Sequence, residues 1–120
     1  MIKGVKFGSI PVRDQDRALK FYTEKLGFTV QTDQPFGEQR WIELGIPGAD
    51  TGVVLFAPDE HKTHVGTFSH LSFYCDNVER TYQELVQRGV EFAGPPQKMQ
   101  WGTFVTFKDP DGNQFVLSSR

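Results

Sequence analysis

The sequence has 120 residues, with 13 Lys and Arg against 15 Asp and Glu, and its net charge of −2 does not favour binding to nucleic acid or to an anionic membrane. Its length is typical of one domain, its apolar runs are too short to cross a membrane, and its first residues lack the pattern of a secretory signal. A single cysteine, Cys75, cannot form a disulfide within the chain, so we expect a cytoplasmic protein. The 11 Phe residues indicate an aromatic core, an aromatic pocket, or both.

The first half of the sequence predicts a strand, a helix and three further strands. The first strand covers residues 5–12, and Pro11, which has no backbone N–H, weakens the prediction for the end of this strand. The helix starts at Asp14, a typical N-cap residue, and ends at Gly27, which suits the left-handed conformation that follows a helix. The later strands cover residues 28–32, 39–44 and 52–57, with turns predicted at 34–37 and 47–48.

The second half repeats this order. A strand over residues 68–75 leads into a helix from Asp76 to Gly89, in which Asp76 and Glu79 have the spacing of a capping box. Further strands are predicted at 90–93, 101–108 and 113–118, with a hairpin turn over 109–113. Because Asp14 and Asp76 start similar helices 62 residues apart, we predict an α+β domain of two βαβββ modules. The predicted boundaries are 1–57 for the first module, 58–67 for a linker and 68–120 for the second module.

Several motifs of this organisation occur together in one known family. They are Val12-Arg-Asp14 leading into Phe21-Tyr22 and Leu26-Gly27-Phe28, then His70-Leu-Ser-Phe73 and Arg88-Gly89-Val90, and finally Phe107-Lys-Asp-Pro-Asp-Gly-Asn-Gln-Phe-Val-Leu117. In these motifs the chain resembles the vicinal oxygen chelate superfamily, which comprises glyoxalases, bleomycin resistance proteins and extradiol dioxygenases. The resemblance implies two curled mixed sheets that enclose a cavity and, in a chain this short, a homodimer with two equivalent cavities.

Metal enzymes of this family hold a divalent ion through inward-facing His, Glu or Gln side chains, and the resemblance places the corresponding positions on this chain. In the first module they fall on Phe7 and near Val54, or on Leu55 if the register slips by one. In the second they fall on His70, a good match, and on Val116, where a metal enzyme usually carries Glu. A lone imidazole among apolar side chains cannot hold a hydrated cation. We therefore expect no cofactor; the alternative is a divalent metal such as Zn, Ni, Mn or Fe, bound through His70.

Aromatic side chains supply a second set of candidate site residues. Trp41 and Glu43 alternate on one face of a predicted strand, so an inward-facing Trp41 would give a stacking surface, and Glu43 a carboxylate for a cation or a hydroxyl group. Trp101 is predicted at the equivalent place in the second module. Glu43 could equally face solvent, with Trp41 under a loop, and several aromatic residues could belong to the core. The expected ligand-binding residues are Phe7, Trp41, Glu43, Phe56, His70, Tyr74, Trp101 and Phe104.

His70 is the one histidine in a predicted strand. Histidine titrates close to neutral pH, which suits proton transfer, so His70 and Glu43 are the candidate catalytic residues. The same position is equally compatible with a polar anchor for a ligand, or with a core histidine that makes one hydrogen bond.

The sequence therefore predicts a protein that binds or sequesters a small, partly aromatic or amphipathic molecule without a metal. The alternative is an enzyme of the same superfamily, either a metal-dependent glyoxalase-like lyase or isomerase or a ring-cleaving dioxygenase. Metal-free chemistry with His70 as the base and a purely structural interaction module are further alternatives. We expect a small-molecule ligand and a homodimer, and no nucleic acid or membrane partner.

Overall fold

The computed structural model of the protein describes residues 1–57 and 65–119, apart from the side chains of Phe68 and His70. The chain divides into two compact units, Met1–Val65 and Gly66–Arg120. Within the described residues each unit contains one mixed β-sheet and one helical region, which confirms the predicted α+β class. No helix in this part of the chain is long and apolar enough to span a membrane. Most of the predicted linker at 58–67 lies outside the described residues.

The first unit has a four-stranded sheet. In chain order its elements are β1 (Phe7–Pro11), α1 (Gln15–Lys20), a π-helical turn (Phe21–Lys25), β2 (Thr29–Phe36), β3 (Gln39–Gly45) and β4 (Gly52–Phe56). The strand order across the sheet is β1-β4-β3-β2, with β1 and β4 parallel and the other pairs antiparallel. Compared with the predicted strand at 5–12, β1 starts two residues later and ends one residue earlier, at Pro11, which has no backbone donor.

The second unit repeats the order of strand, helix and strands, with one short strand more than predicted. Its elements are β5 (Phe68–Cys75), α2 (Val78–Gln87), β6 (Glu91–Phe92), β7 (Gln97–Met99), β8 (Gly102–Lys108) and β9 (Gln114–Ser119). The strand order is β5-β9-β8-β6, and β7 also pairs with β8. All three residues of β7 are exposed, so this strand has no alternation of apolar and polar residues that would predict it.

One of the two helices starts at the predicted N-cap residue, and the other starts one residue later. Asp14 caps α1 as predicted, because its Oδ1 accepts a hydrogen bond from the backbone N–H three residues later at 3.0 Å. The capping box predicted for Asp76 and Glu79 is wrong, because the N-cap of α2 is Asn77, whose Oδ1 accepts from the Arg80 N–H at 3.0 Å. Asp and Asn are about equally good N-cap residues, so two adjacent candidates leave the start ambiguous by one residue.

The helical region of the first unit changes its hydrogen bonding halfway along. From Phe21 onward it is a π-helix, in which the Leu26 N–H donates to the Phe21 carbonyl oxygen at 3.3 Å. The Thr23 hydroxyl donates to the Leu19 carbonyl oxygen at 2.7 Å in the same region. Over so few residues, the spacing of apolar side chains cannot distinguish a π-helical turn from an α-helix. The predicted end at Gly27 is confirmed, since its φ of +79° is left-handed.

The hairpin between β2 and β3 is longer than predicted. The turn expected at 34–37 is wrong for its first part, because β2 continues to Phe36 and Gln34 pairs with Trp41. Pro35 suggested a turn, but β2 is the outermost strand of the sheet, where a missing N–H costs no ladder hydrogen bond. The chain turns at Gly37 instead, with φ of +63°.

The helical region covers one face of the first sheet, and a side chain of α1 forms hydrogen bonds with both β3 and β4. Where β3 and β4 stop pairing beyond Ile42 and Leu55, the side-chain amide of Gln15 joins them. It donates to the carbonyl oxygens of Arg40 and Leu55 at 2.7 and 3.0 Å and accepts from the Arg40 N–H at 3.0 Å. The buried apolar residues of this unit include Ile10, Val12, Ala18, Phe21, Tyr22, Ile42, Leu44, Val53 and Leu55.

The second sheet is likewise covered by α2 on one face. Phe107 is central to this core, with ring centroids of Phe73, Phe92 and Phe115 at 6.0, 6.2 and 5.4 Å. Its other buried apolar residues include Val78, Leu85, Val90, Val105 and Leu117.

The turn between β8 and β9 confirms the predicted hairpin. Asp109 Oδ1 accepts from the backbone N–H groups of Asp111 and Asn113 at 3.0 and 2.9 Å, and Oδ2 accepts from the Asn113 side-chain amide at 2.9 Å. Gly112 has φ of +83°, which the turn requires and which glycine adopts without strain.

Candidate functional site

Strand pairing sorts the residues of the first sheet between its two faces. Glu43 lies between Val54 on β4 and Thr32 on β2, while Trp41 pairs with Gln34. Paired residues share a face, and side chains alternate along a strand. We call the face turned away from the helical region the far face of the first unit; it carries Phe7, Ser9, Thr32, Gln34, Phe36, Trp41, Glu43, Val54 and Phe56.

Trp41 is the centre of an aromatic group on this far face. Its ring lies 5.7 Å from that of Phe7, with the planes at 77°, and 5.6 Å from that of Phe36, with the planes at 54°. Distances and angles in this range are those of attractive edge-on and tilted ring pairs. Trp41 is half-buried, whereas Phe36 is 60% exposed. The rings of Phe7, Phe36 and Trp41 thus form an angular, partly open surface, which we call the Trp41 cluster.

Glu43 lies directly beside the Trp41 cluster. The indole Nε1–H of Trp41 donates to Glu43 Oε1 over a long distance of 3.4 Å. Both side chains are therefore on the same side of β3, as the alternation of side chains along a strand predicts. Their role in lining a pocket stays a prediction. Phe56 pairs with Pro11 and shares this face. The structure thus places Phe7, Trp41, Glu43 and Phe56, among the expected ligand-binding residues, on one face of the first unit.

Phe36 belongs to this surface, although the sequence analysis missed it. The turn predicted at 34–37, which rests on Pro35 and Gly37, excludes Phe36 from the strand. The spacing gives no signal for Phe36, because Thr32 and Gln34, which share its face, are polar.

The second unit places three other aromatic candidates together. Tyr74 on β5 pairs with Ser118 on β9, which pairs with Phe104 on β8. The Trp101 ring stacks on that of Phe104, with centroids 5.8 Å apart and planes at 17°. Tyr74 and Trp101 are 59% and 63% exposed. We call these three residues the Trp101 platform; they form a partly exposed aromatic surface on the face of the second sheet that α2 does not cover.

Trp101 is not at the place equivalent to Trp41, and this prediction is wrong. Trp41 lies inside β3, whereas Trp101 lies in the turn between β7 and β8, next to Gly102. The additional strand β7 comes just before this turn and displaces Trp101 from the strand predicted for it. The two tryptophans consequently have different ring environments.

The side chain of His70 lies outside what the structure describes. Its backbone belongs to β5, in the stretch where the pairing with β9 shifts between Phe68 and Ser72. Its roles as a polar anchor, an acid–base group or a metal ligand therefore stay predictions.

The described positions at which the resemblance implied metal ligands carry no donor atoms. Phe7 and Val54 lie on the far face of the first unit, and Val116 shares a face of the second sheet with Phe104. Leu55, the alternative to Val54, lies on the helix-covered face and is wholly buried. Among the described side chains, no group of three or more His, Cys, Asp or Glu is placed to hold a metal ion.

Glu43 is the one charged residue on the described strands of the far face. Asp33 and Arg40 lie on the opposite, helix-covered face, where two guanidinium nitrogens of Arg40 donate to the two carboxylate oxygens of Asp33 at 3.0 Å. Arg40 also pairs with Asp16 of α1. The hydrogen bonds from Arg40 lower the pKa of Asp33, and those to Asp33 and Asp16 raise the pKa of Arg40. The charge of Arg40 is thus balanced locally, away from Glu43.

Known proteins resemble this chain over almost its whole length. Residues 5–117 match the family model of the Glyoxalase/Bleomycin resistance protein/Dioxygenase superfamily. The protein YetH of Bacillus subtilis is 41% identical over 118 residues, which cover 98% of each chain. A probable chloroplastic lactoylglutathione lyase of Arabidopsis thaliana is 30% identical over 118 residues, covering 91% of this chain and 33% of that protein.

Solved structures extend this similarity to the fold. A member of the same superfamily from Sphaerobacter thermophilus has a TM-score of 0.89 and 36% identity, covering 99% of this chain and 98% of that one. TnmS3, an antibiotic binding protein from Streptomyces sp. CB03234, has a TM-score of 0.86 and 36% identity, covering 98% of this chain and 96% of that one. Both similarities include the two units.

Proposed function

This chain belongs to the glyoxalase/bleomycin resistance protein/dioxygenase superfamily, and we propose that it binds or sequesters a small, partly aromatic molecule without using a metal ion. The observation that carries the proposal is the Trp41 cluster with Glu43 beside it. It is an aromatic surface with one carboxylate, on the same sheet face as two positions where metal enzymes of the family would carry ligands.

The side chains at the implied metal positions do not fit a divalent ion. Phe7, Val54 and Val116 have no oxygen or nitrogen donor in their side chains, so His70 would be the only ligand of the implied set. Protein sites for such ions need several donors, and apolar neighbours make it costly to strip water from the ion. Binding as proposed involves no step at a metal.

Aromatic rings account for the affinity in this proposal. A ligand that covered the 60% exposed Phe36 or the 63% exposed Trp101 would remove apolar surface from water. Glu43 then supplies an oriented polar contact on the first unit, and His70 is the polar candidate of the second unit. An interaction of this kind suffices for sequestration or carriage, since no covalent bond has to form or break. The antibiotic-binding relative TnmS3, of nearly the same length, supports a binding role.

A thermal-shift screen of aromatic metabolites and antibiotics, carried out in EDTA, tests the proposal. We expect at least one compound to raise the Tm, because a ligand at 100 times its Kd adds about 2.7 kcal/mol to the free energy of unfolding. The shift should be lost in Trp41→Ala. It should persist in Val86→Ala, which removes an exposed apolar side chain from α2 instead.

Two outcomes would contradict the proposal. Stabilisation that occurs only after a divalent metal is added would show that binding depends on that metal. Stabilisation that is equal in wild type and Trp41→Ala would show that the ligand does not use the Trp41 cluster.

The similarity to a probable lactoylglutathione lyase supports a second candidate function, a metal-dependent lyase. Incubation with methylglyoxal, glutathione and added Zn or Ni, followed by measurement of the thioester product, distinguishes the two candidates. Our proposal expects no thioester above the level without protein. Product formation that disappears in His70→Ala would favour the lyase.

A further inference from the structure

We propose that the ligand of the Trp41 cluster carries a positively charged organic ammonium group, held between the rings and Glu43. This inference rests on the proposed function, because it names the chemical class of the ligand for the same site. Three features carry it: the angles between the rings, the position of the carboxylate, and the charges of the described strands on the far face.

The rings of the Trp41 cluster are arranged as a corner. The planes of Phe7 and Phe36 stand at 77° and 54° to the indole, with centroids at 5.7 and 5.6 Å. A cation is attracted to a ring face within about 6 Å of its centroid, and tryptophan is the strongest such partner. Rings at steep angles can turn more than one face toward the same small volume. Aromatic cages for alkylated ammonium groups use rings at such angles, so an ammonium group at the open side of the corner could meet more than one ring face.

Glu43 adds a negative charge beside this corner. Its Oε1 accepts from Trp41 Nε1 at 3.4 Å, and it has no other hydrogen bond or ion pair among the described residues. The described strands of the far face carry no Lys, Arg or His that could neutralise it. Glu43 is half-buried, and a partly buried carboxylate attracts a cation more strongly than a fully exposed one. A ligand ammonium would therefore gain from ring faces and from a carboxylate together.

The Trp101 platform lacks these features. Its stacked rings are nearly parallel, at 17°, so they cannot turn two faces toward one small volume. The row that contains Phe104 continues through Ser118 to Tyr74 without a carboxylate. The Trp101 platform therefore offers no second ring face and no carboxylate for an ammonium group, whereas the Trp41 cluster offers both.

Calorimetric titration with two probes of the same shape tests the charge directly. The probes are 3-hydroxyphenyltrimethylammonium and its uncharged isostere 3-tert-butylphenol. We expect the wild type to bind the cation about tenfold more tightly than the neutral probe. The NMR resonance of the Trp41 indole N–H, assigned by its loss in Trp41→Phe, should shift when the cation is added.

Two variants separate the role of Glu43 from that of overall charge. Glu43→Gln keeps the shape and can still accept the indole hydrogen bond, so it should abolish the preference for the cation and leave the affinity for the neutral probe unchanged. Glu24→Gln removes the same charge from an exposed position in the π-helical turn and should keep the preference.

The possible failures are distinguishable. Equal affinity of the wild type for both probes, with both shifting the Trp41 resonance, would overturn the cationic ligand and leave the proposed function intact. If neither probe binds or shifts that resonance, the Trp41 cluster is not a binding site, and the proposed function loses its support as well. A cation preference that survives Glu43→Gln, or that disappears in Glu24→Gln, would also overturn the inference.

Discussion

Gly52 illustrates a constraint that acts at the scale of one residue. It starts β4, where a Cβ atom would overlap the carbonyl oxygen of Leu44 on the neighbouring β3. We expect Gly52→Ala to lower the free energy of unfolding by about 2 kcal/mol, because the strands must move apart. Urea denaturation measures this loss. Gly94→Ala is the matched control, since a Cβ there meets no atom within 4 Å; an equal loss in both variants would contradict the explanation.

Single residues also show what the sequence can and cannot predict about the site. The alternation of Trp41 and Glu43 follows from the period of a strand, and the structure places both on one side of β3. Phe36 could not be assigned in the same way, because proline is compatible with both a turn and an edge strand. The angle between two rings, which distinguishes the Trp41 cluster from the Trp101 platform, depends on packing that no sequence pattern encodes.

Arg40 connects elements of the first unit. From β3 it binds Asp33 on β2 through two hydrogen bonds of 3.0 Å and also pairs with Asp16 on α1. A fork of this kind fixes the geometry of both partners, although exposed ion pairs contribute little to stability. The network therefore helps to orient α1 on the helix-covered face of the sheet.

The lowered pKa of Asp33 gives this network a pH dependence. Because the folded-state pKa lies below the unfolded one, the stabilisation is complete above the unfolded pKa, near about 4, and is lost as pH falls through the folded value. We expect wild type to exceed Asp33→Asn in stability by less than about 1 kcal/mol at pH 6, because Asp33 is 32% exposed. This difference should shrink in urea titrations as the pH falls below the unfolded pKa of about 4.

A double-mutant cycle provides the control for this pH effect. In an Arg40→Gln background, Asp33→Asn should change stability equally at all these pH values, because the guanidinium that lowers the pKa is gone. A pH-dependent difference that persists in that background would contradict the assigned cause.

Among the elements, those with a strong local signal were predicted and those fixed by packing were not. Asp14 and Gly27 bound the first helical region as expected, and the Asp109 turn produces the expected hairpin. The π-helical turn and β7 had no such signal. The π-helical turn has the same apolar spacing as an α-helix. Strand β7 has three exposed residues, and it is defined by its backbone pairing with β8.

At the scale of the whole chain, the recurrence of a capped helix after 62 residues predicted two similar halves. The structure contains two compact units, each with a mixed sheet and a helical region. The two units differ in detail, because β7 of the second unit has no counterpart among the described residues of the first unit. Homodimer formation leaves no comparable mark in one chain, so it stays a prediction.

The metal content of untagged protein, purified without chelators, tests the proposed metal independence most directly. Elemental analysis should find Zn, Ni, Mn and Fe far below stoichiometric amounts in the wild type and in His70→Ala alike, because Phe7, Val54 and Val116 offer no donors. Near-stoichiometric metal in the wild type that is lost in His70→Ala would contradict the proposed metal-independent binding and favour the lyase.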